Sequence, residues 1–441
     1  MPKIQKYDLC CILAISISIL FWDTKSFLSN LRFLIITVPL FCFYFKNDLF
    51  YLLKNNWKIV FIPVFLISVH HFFFTYYTDI GTNYLSILKL IILFFISISV
   101  FLSLESFKQN FQFFINFSII LLSIFLIYDV SVNLINNNFL YALSINRFEN
   151  CYHGFFTQMS YIFREESHFA MNIAPLLLTS IFLYLEGKNA SYFVLILTIL
   201  IILFSFYFAL SLTFIISMIF FSILSIFFAN KKKTRIIFLS LTIFLSASLI
   251  FYPKCANKLI NITSSIVSSL GIKFADKLII SLENQNQKKM MESPKIIKKI
   301  DGIKTGLSSG VYINSIKISK NSFLDYPFGV GFDNYIFSFN SFIKKTSKES
   351  ANLKEVINDL FILNTNDGSN NFAKISAEFG VLSIFFYIIL IKFILSKQIE
   401  SSMKMFIITV LFTQIFIRGA GYFNGGFLIL FFYAFYYQKS K

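Results

Sequence analysis

Long apolar blocks alternate with short polar breaks along this chain. Apolar runs free of strong breakers occupy about residues 9–22, 31–45, 59–74, 85–104, 111–128, 169–185, 191–208, 210–229, 236–252, 372–395, 404–418 and 422–437. About twenty apolar residues carry a helix across a bilayer, so the twelve runs predict twelve membrane-spanning helices. The block from Ser191 to Ala229 is too long for one span and just long enough for two, which demands a tight turn near Ala209 to Ser211. The predicted fold class is therefore an all-α polytopic membrane protein.

Two polar segments are much longer than the rest, from about Asp129 to His168 and from about Pro253 to Asn371. The chain divides accordingly into a bundle over 1–252 that includes the loop 129–168, a large loop over 253–371, and three C-terminal spans over 372–441. The large loop reads as a mainly helical cap. Between Leu259 and Leu282 its apolar residues recur at spacings of three and four, with Lys273 and Lys277 on the polar side, the pattern of a helix lying on a surface. The lysine-rich stretch from Asn284 to Lys299 reads as an exposed connection.

Charge sets the orientation. With the N-terminus cytoplasmic, the inner segments hold 15 Lys and Arg, among them Lys46, Lys108, Lys188, the run Lys231 to Lys233, Arg235 and Lys404. The short outer loops hold only 3, Lys25, Arg32 and Arg418, which is the positive-inside bias. Both termini are then cytoplasmic, the two long segments lie outside, and the first span is retained because no small-residue cleavage site follows it.

Composition agrees with the pattern. Apolar residues make up 56% of the 441, charged residues only 14%, and a soluble chain would carry nearer a quarter. The net charge of +17 is spread between apolar blocks rather than gathered on a soluble basic face, which argues against a nucleic-acid partner. Five Cys show no metal-ligand spacing; Cys10, Cys11 and Cys42 lie in apolar runs, and Cys151 and Cys255 would join only if the two outer segments met. His70 and His71 do not make a metal constellation, and no phosphate-loop motif or internal repeat is present.

The chemistry-bearing residues are few. Only five of the 39 basic residues are Arg, and in so lysine-biased a chain each marks a place where Lys would not serve. Arg235 belongs to the inner charge cluster and Arg32 to a helix end, as anchors. Arg147, Arg164 and Arg418 all face outside, and their planar forks suit the oxygens of a diphosphate, with interfacial anchoring as the bland alternative. Around Arg164, the run Glu165, Glu166, Ser167, His168 crowds ionisable groups into the mouth of the sixth span. Glu165 or Glu166 could act there as a general base, with His168 one turn from Arg164, or the group could simply cap the helix. Snorkelling accounts for Lys89, and Lys374 and Glu378, four apart, could neutralise each other or line an entrance. Gly329 and Gly331 beside Pro327 allow a tight backbone folded close against a ligand or the bundle.

Three segments carry a family resemblance. Phe163 to Ala170 is similar to an acidic segment entering a span, Tyr326-Pro327-Phe328-Gly329-Val330-Gly331-Phe332-Asp333-Asn334-Tyr335 to a Pro-Leu-x-Gly-x-Gly segment, and Ser369-Asn370-Asn371 with Glu378-Phe379-Gly380 to a segment returning into the membrane. In order and placement they resemble the bacterial O-antigen and capsule repeat-unit polymerases (Wzy-like), relatives of the O-antigen ligases. The ligases place a His and a second Gly where this chain has Ser369 and Ser383, and the family often has Arg in the large loop, where residues 253–371 hold 16 Lys and no Arg.

The resemblance implies a membrane glycosyltransferase that joins oligosaccharide units carried on polyprenyl diphosphate, at the outer face of the cytoplasmic membrane. It implies no cofactor and no metal, with a chain-length regulator and a flippase as possible partners. Arg147, Arg164 and Arg418 would meet the diphosphate, Glu165, Glu166 and His168 the reacting hydroxyl, and Gly329, Gly331, Asn334 and Glu378 would shape the substrate loop. The rival readings are an O-antigen ligase, with the same fold and another acceptor, and a lipid-linked oligosaccharide flippase or other transporter, which should show related halves and charges along a central cavity.

Overall fold

The computed structural model describes residues 4–21, 26–46, 49–77, 84–135, 166–188, 191–208, 211–251, 307–349, 364–397 and 399–438. Among them there is helix and no strand. The helices are α1 (Lys6–Leu20), a 3₁₀ segment (Ser26–Thr37), α2 (Val38–Lys46), α3 (Leu49–Tyr77), α4 (Tyr84–Gln109), α5 (Phe111–Ile135), α6 (Glu166–Leu185), α7 (Tyr192–Phe208), α8 (Leu212–Phe228) and α9 (Lys232–Phe251). Further along the chain come α10 (Leu307–Asp325), α11 (Tyr335–Glu349), α12 (Asn371–Phe379), α13 (Ser383–Leu395), α14 (Ser401–Phe412) with a π-helical end (Thr413–Ile417), and α15 (Phe427–Tyr437).

Each of the twelve apolar runs thus holds a described helix. Among the described residues, five stretches are long and apolar enough to cross a membrane: Ser29–Lys46, Leu49–Tyr77, Leu85–Gln109, Phe111–Tyr128 and Asn371–Leu395. Ala170–Leu185, Tyr192–Ser205, Leu212–Phe228, Ser401–Ile417 and Phe427–Tyr437 are apolar but shorter. The turn expected near Ala209 to Ser211 is flanked as required: α7 stops at Phe208, and Ser211 caps α8 by accepting the Phe214 N–H at 3.2 Å. Ala209 and Leu210 themselves lie outside the described residues, as do Leu259 to Leu282, Asn284 to Lys299, Cys151 and Cys255.

The outward faces are as apolar as the interior. On α3, Phe61, Phe65, Leu66 and Phe73 are exposed, and only 28% of its apolar window is buried. On α7 and α13, Phe193, Leu203, Phe385 and Leu395 project outward in the same way. Water would penalise so large an apolar belt, whereas lipid does not, and a helix pairs the backbone groups of its interior within itself.

In the interior, α14 and α15 are surrounded on nearly every side, consistent with sequences apolar all round. They pack among α4, α6, α8 and α13. Hydroxyls stitch the helices together: the Tyr433 hydroxyl meets Ser103 at 2.7 Å, Ser217 meets Thr413 at 2.9 Å, and Tyr7 donates to the Leu102 carbonyl at 2.8 Å. Buried Lys404 reaches the Ile394 and Ser396 carbonyls, occupying acceptors at the end of α13.

The two ends of the bundle differ in chemistry. One gathers groups of the segments that the charge pattern predicts to be inner: Lys46 over the Tyr7 ring, Lys108 over the Tyr437 ring, Lys188 on Glu400 at 2.8 Å, and Glu186 accepting the Lys231 N–H at 3.2 Å. The other gathers Arg32, His70, Lys89, Lys374 and Arg418. Here α10 and α11 pack on each other and on α12 around a small second core of Ile318, Tyr335, Phe339, Phe342, Ile343 and Ala377.

Candidate active site

The glycine-rich segment lies directly on the backbone of α12. Val330 N–H donates to the Ala377 carbonyl at 3.2 Å, Gly331 N–H to Glu378 at 3.0 Å, and Val381 N–H returns to Pro327 at 2.8 Å. Gly329 and Gly331 have φ of +90° and +92°. A methyl group on Gly329 would stand 2.1 Å from the Glu378 carbonyl oxygen, and one on Gly380 would stand 2.0 Å from that of Pro327. Only glycine tolerates both the dihedral and the contact. Gly329→Ala should therefore undock the loop: the left-handed conformation alone costs about 1–2 kcal/mol, before the collision with Glu378 is counted. Wild-type melting in detergent and unchanged protease resistance of residues 326–334 would contradict this docking.

The same contact consumes the polar groups of the segment. The Glu378 carboxylate, fully buried, accepts the N–H groups of Asp333 at 2.8 Å and Tyr335 at 2.9 Å. Tyr335 opens α11, so Glu378 caps that helix from a neighbouring one and faces the positive end of its dipole. Asn334 donates to the Val330 carbonyl at 3.0 Å and to Thr75 Oγ1 at 3.4 Å. His70 donates through Nε2 to the Phe328 carbonyl at 2.8 Å and stacks on Phe379, while His71 backs Gly331. The histidine pair on α3 thus braces the loop.

A line of charges runs through the contact. Buried Lys374 donates to Asp333 Oδ1 at 2.6 Å and to the Asn366 carbonyl at 2.7 Å, and lies 3.6 Å from Glu378 Oε1. Lys89 pairs with the other oxygen of Asp333. Where the sequence suggested snorkelling, Lys89 instead finds an acid 244 residues away. Burial by itself would raise the Asp333 carboxyl, but Lys374 and Lys89 outweigh it and hold the group below the usual carboxylate range. Asp333 also sits at φ +58°, a left-handed position that Asp accepts more readily than most residues.

Beside this line lies a more open cluster. Arg418 follows the π-helical turn of α14, a feature common at functional sites, and its Nη1 donates to Ser369 Oγ at 2.9 Å. Gly419 N–H meets the Ser369 carbonyl at 3.0 Å, so the π-turn and the start of α12 are locked together. Asn370 caps α12 by accepting the Ala373 N–H at 2.7 Å. Deeper in, Gln414 of the π-turn donates to Asn172 Oδ1 on α6 at 2.9 Å and to the Gly425 carbonyl at 2.7 Å. Between Arg418, Lys374 and His168 stands Asp367, half-buried. Burial raises its carboxyl, and Asp333 adds to this, against the pull of Lys374, His168 and Arg418.

Next to the charges is an apolar cavity of about 450 Å³. Phe332 and Tyr422, stacked at 5.2 Å between centroids, line it, and Lys374 lies 4.9 Å over the Tyr422 ring. From there it runs between α3, α13 and α15 past Ile62, Leu66, Phe385, Phe386 and Phe435.

Of the residues singled out in the sequence, the structure brings His168, Arg418, Glu378, Gly329, Gly331 and Asn334 to one end of the bundle. Arg147, Arg164 and Glu165 lie outside the described residues, and Glu166 is described only as the first residue of α6. The lysine–glutamate pair of α12 does neutralise itself in part, but its main duty is to hold the loop. Sequence reasoning missed Asp333, Asp367 and Tyr422. Asp333 lies inside the glycine segment, and Asp367 stands two residues before Ser369 in an Asn-Asp-Gly run, a composition that by itself signals a turn and no chemistry. Comparison of the chain with protein-family models, with curated proteins and with solved structures returns no match.

Proposed function

We propose that this chain is a twelve-span polymerase that joins oligosaccharide repeat units carried on polyprenyl diphosphate into O-antigen or capsular polysaccharide. It works at the outer face of a bacterial cytoplasmic membrane, with both termini cytoplasmic. The observation that carries the reading is the meeting, at one end of an apolar bundle, of a charged cluster that includes Arg418 with an apolar cavity. A lipid diphosphate needs both at once: cations for the head, and a greasy channel for the first isoprene units of the tail.

The growing chain is the donor and the new unit the acceptor. A hydroxyl of the acceptor attacks the anomeric carbon, and the lipid diphosphate leaves with the electron pair. Arg418, with Arg147 and Arg164 of the shorter outer segment, meets the charge that develops on the leaving group. A carboxylate removes the proton, for which Glu165, Glu166 and Asp367 are the candidates, with His168 alongside. The reaction uses no cofactor.

Deletion of the gene tests the reading against its rivals. Cells without a polymerase cap their acceptor with a single unit, those without a ligase accumulate unattached polymer, and those without a flippase retain lipid-linked units on the inner face. Single capped units are the expected result, and either of the others overturns the proposal. Ser369 and Ser383, standing where the ligases have His and Gly, favour the polymerase.

A further inference from the structure

We propose that Asp367 is the proton acceptor of this site, a role that rests on the polymerase reading above. The argument is one of placement. Asp367 follows a tight turn in which its own N–H and that of Gly368 return to the Asn364 carbonyl, at 3.3 and 3.1 Å. This turn aims the carboxylate at Gly421 on the far side of the cluster. A methyl group on Gly421 would stand 2.8 Å from Asp367 Oδ1 and 4.0 Å from Lys374 Nζ, and Gly421 has φ of +84°. Bare backbone is therefore what lets the acid and the lysine approach this wall.

The acids around the cluster divide their work. Glu378 is fully buried and spends its oxygens on two backbone N–H groups, while Asp333 is 8% exposed at its side chain and paired with two lysines. Asp367, like Asp333, is partly exposed, but among the described residues it makes no ion pair within 4 Å. The charged and titratable groups facing it are Lys374 of α12, Asp333 of the glycine segment, His168 of α6 and Arg418 of the π-turn. A base needs an accessible carboxylate, unspent on structure, beside the cations that receive the leaving group. Among the described acids of this end, Asp367 alone combines these properties.

The step balances. The acceptor oxygen forms a bond to the anomeric carbon, the bond from that carbon to the diphosphate oxygen breaks, and its electron pair leaves with the diphosphate beside Arg418. The proton of the attacking hydroxyl moves to Asp367 and passes to water once the lengthened chain has moved on. Burial lifts the Asp367 carboxyl toward the working pH, which suits a base that must also release its proton. Activity should then fall as the pH drops through that raised value, because protonation removes the acceptor.

The test uses the full chain in lipid nanodiscs and, as probe, the polyprenyl-diphosphate-linked repeat unit extracted from cells in which the gene is deleted. Asp367→Asn should cut the rate of chain lengthening by about 10²- to 10⁴-fold with little change in KM. Asp367→Glu should recover part of the rate and move the acidic limb of its pH profile. Asn is isosteric with Asp, and a monodisperse profile in detergent checks that the variant is folded. Lengthening by Asp367→Asn at the wild-type rate overturns the role of Asp367 and returns it to Glu165 or Glu166. No lengthening by the wild-type protein overturns the polymerase reading and this role with it.

Discussion

Cells carrying Arg418→Ala should make single lipid-linked units and no long polysaccharide. Arg418 emerges from the π-turn at the mouth of the cluster, and its guanidinium reaches Ser369 across the start of α12. A fork held in this way meets a leaving diphosphate without reorganising, and loss of one such preorganised donor typically costs about 10²- to 10³-fold in turnover. Arg418→Lys should remain strongly impaired, because a hydrated point charge does not reproduce two parallel donors. Ser369→Ala removes the contact that positions Arg418 and leaves the fork itself, so it should shorten chains far less. Arg164→Ala is expected to behave like Arg418→Ala. Normal chain lengths, read on gels of extracted polysaccharide, in both Arg→Ala variants would sink the assignment of these arginines to the diphosphate.

Lys374→Met should be the most damaging single change to stability. It leaves the fully buried Glu378 without its cation and Asp333 with only Lys89. Breaking a buried pair by removing one partner costs about 3–5 kcal/mol, most of it the penalty of the acid left behind. The second substitution Glu378→Gln, added to Lys374→Met, removes that stranded charge while keeping an acceptor for the Asp333 and Tyr335 N–H groups. Recovery of part of the lost stability in the double variant is the expected signature of coupling. The readout is the melting temperature in detergent together with protease cleavage of residues 326–334. A Lys374→Met protein that melts with the wild type would show that the loop is not held by these charges.

Much of the site was legible in local sequence, and the rest was not for a definite reason. Gly329 and Gly331 beside Pro327 announced a backbone in close contact with something, and the structure supplies Glu378 as the neighbour. Lys374 and Glu378, one helical turn apart, announced an ion pair, present at 3.6 Å. Lys89 announced only an amphipathic side chain near a helix end, since its partner Asp333 is remote in sequence. Asp367 carried no signal beyond a turn. What distinguishes it is the company of Lys374, seven residues on, and of His168 and Arg418, which arrive from two other stretches of chain. A contact between distant segments leaves no periodicity for a local reading to find.

The same limit separates what the sequence determined from what the tertiary structure decided. By itself the sequence determined the helical class, the rough order and placement of the helices, and the break that divides α7 from α8, but not their ends: α3 begins at Leu49, ten residues before its predicted run, and the run 372–395 is split between α12 and α13. Backbone hydrogen bonds must close within each segment in lipid, so an apolar run has little choice but helix. It did not determine which face of each helix turns inward. Helices such as α7, α13 and α15 are apolar all round, and lipid is as greasy as the core, so hydrophobicity alone cannot tell inside from outside. Packing decided that, through hydroxyls that find partners and aromatic rings that stack. Packing also decided that Asp333 and Glu378 would be spent on fastening a loop, while Asp367, half-buried beside Arg418, makes no ion pair among the described residues.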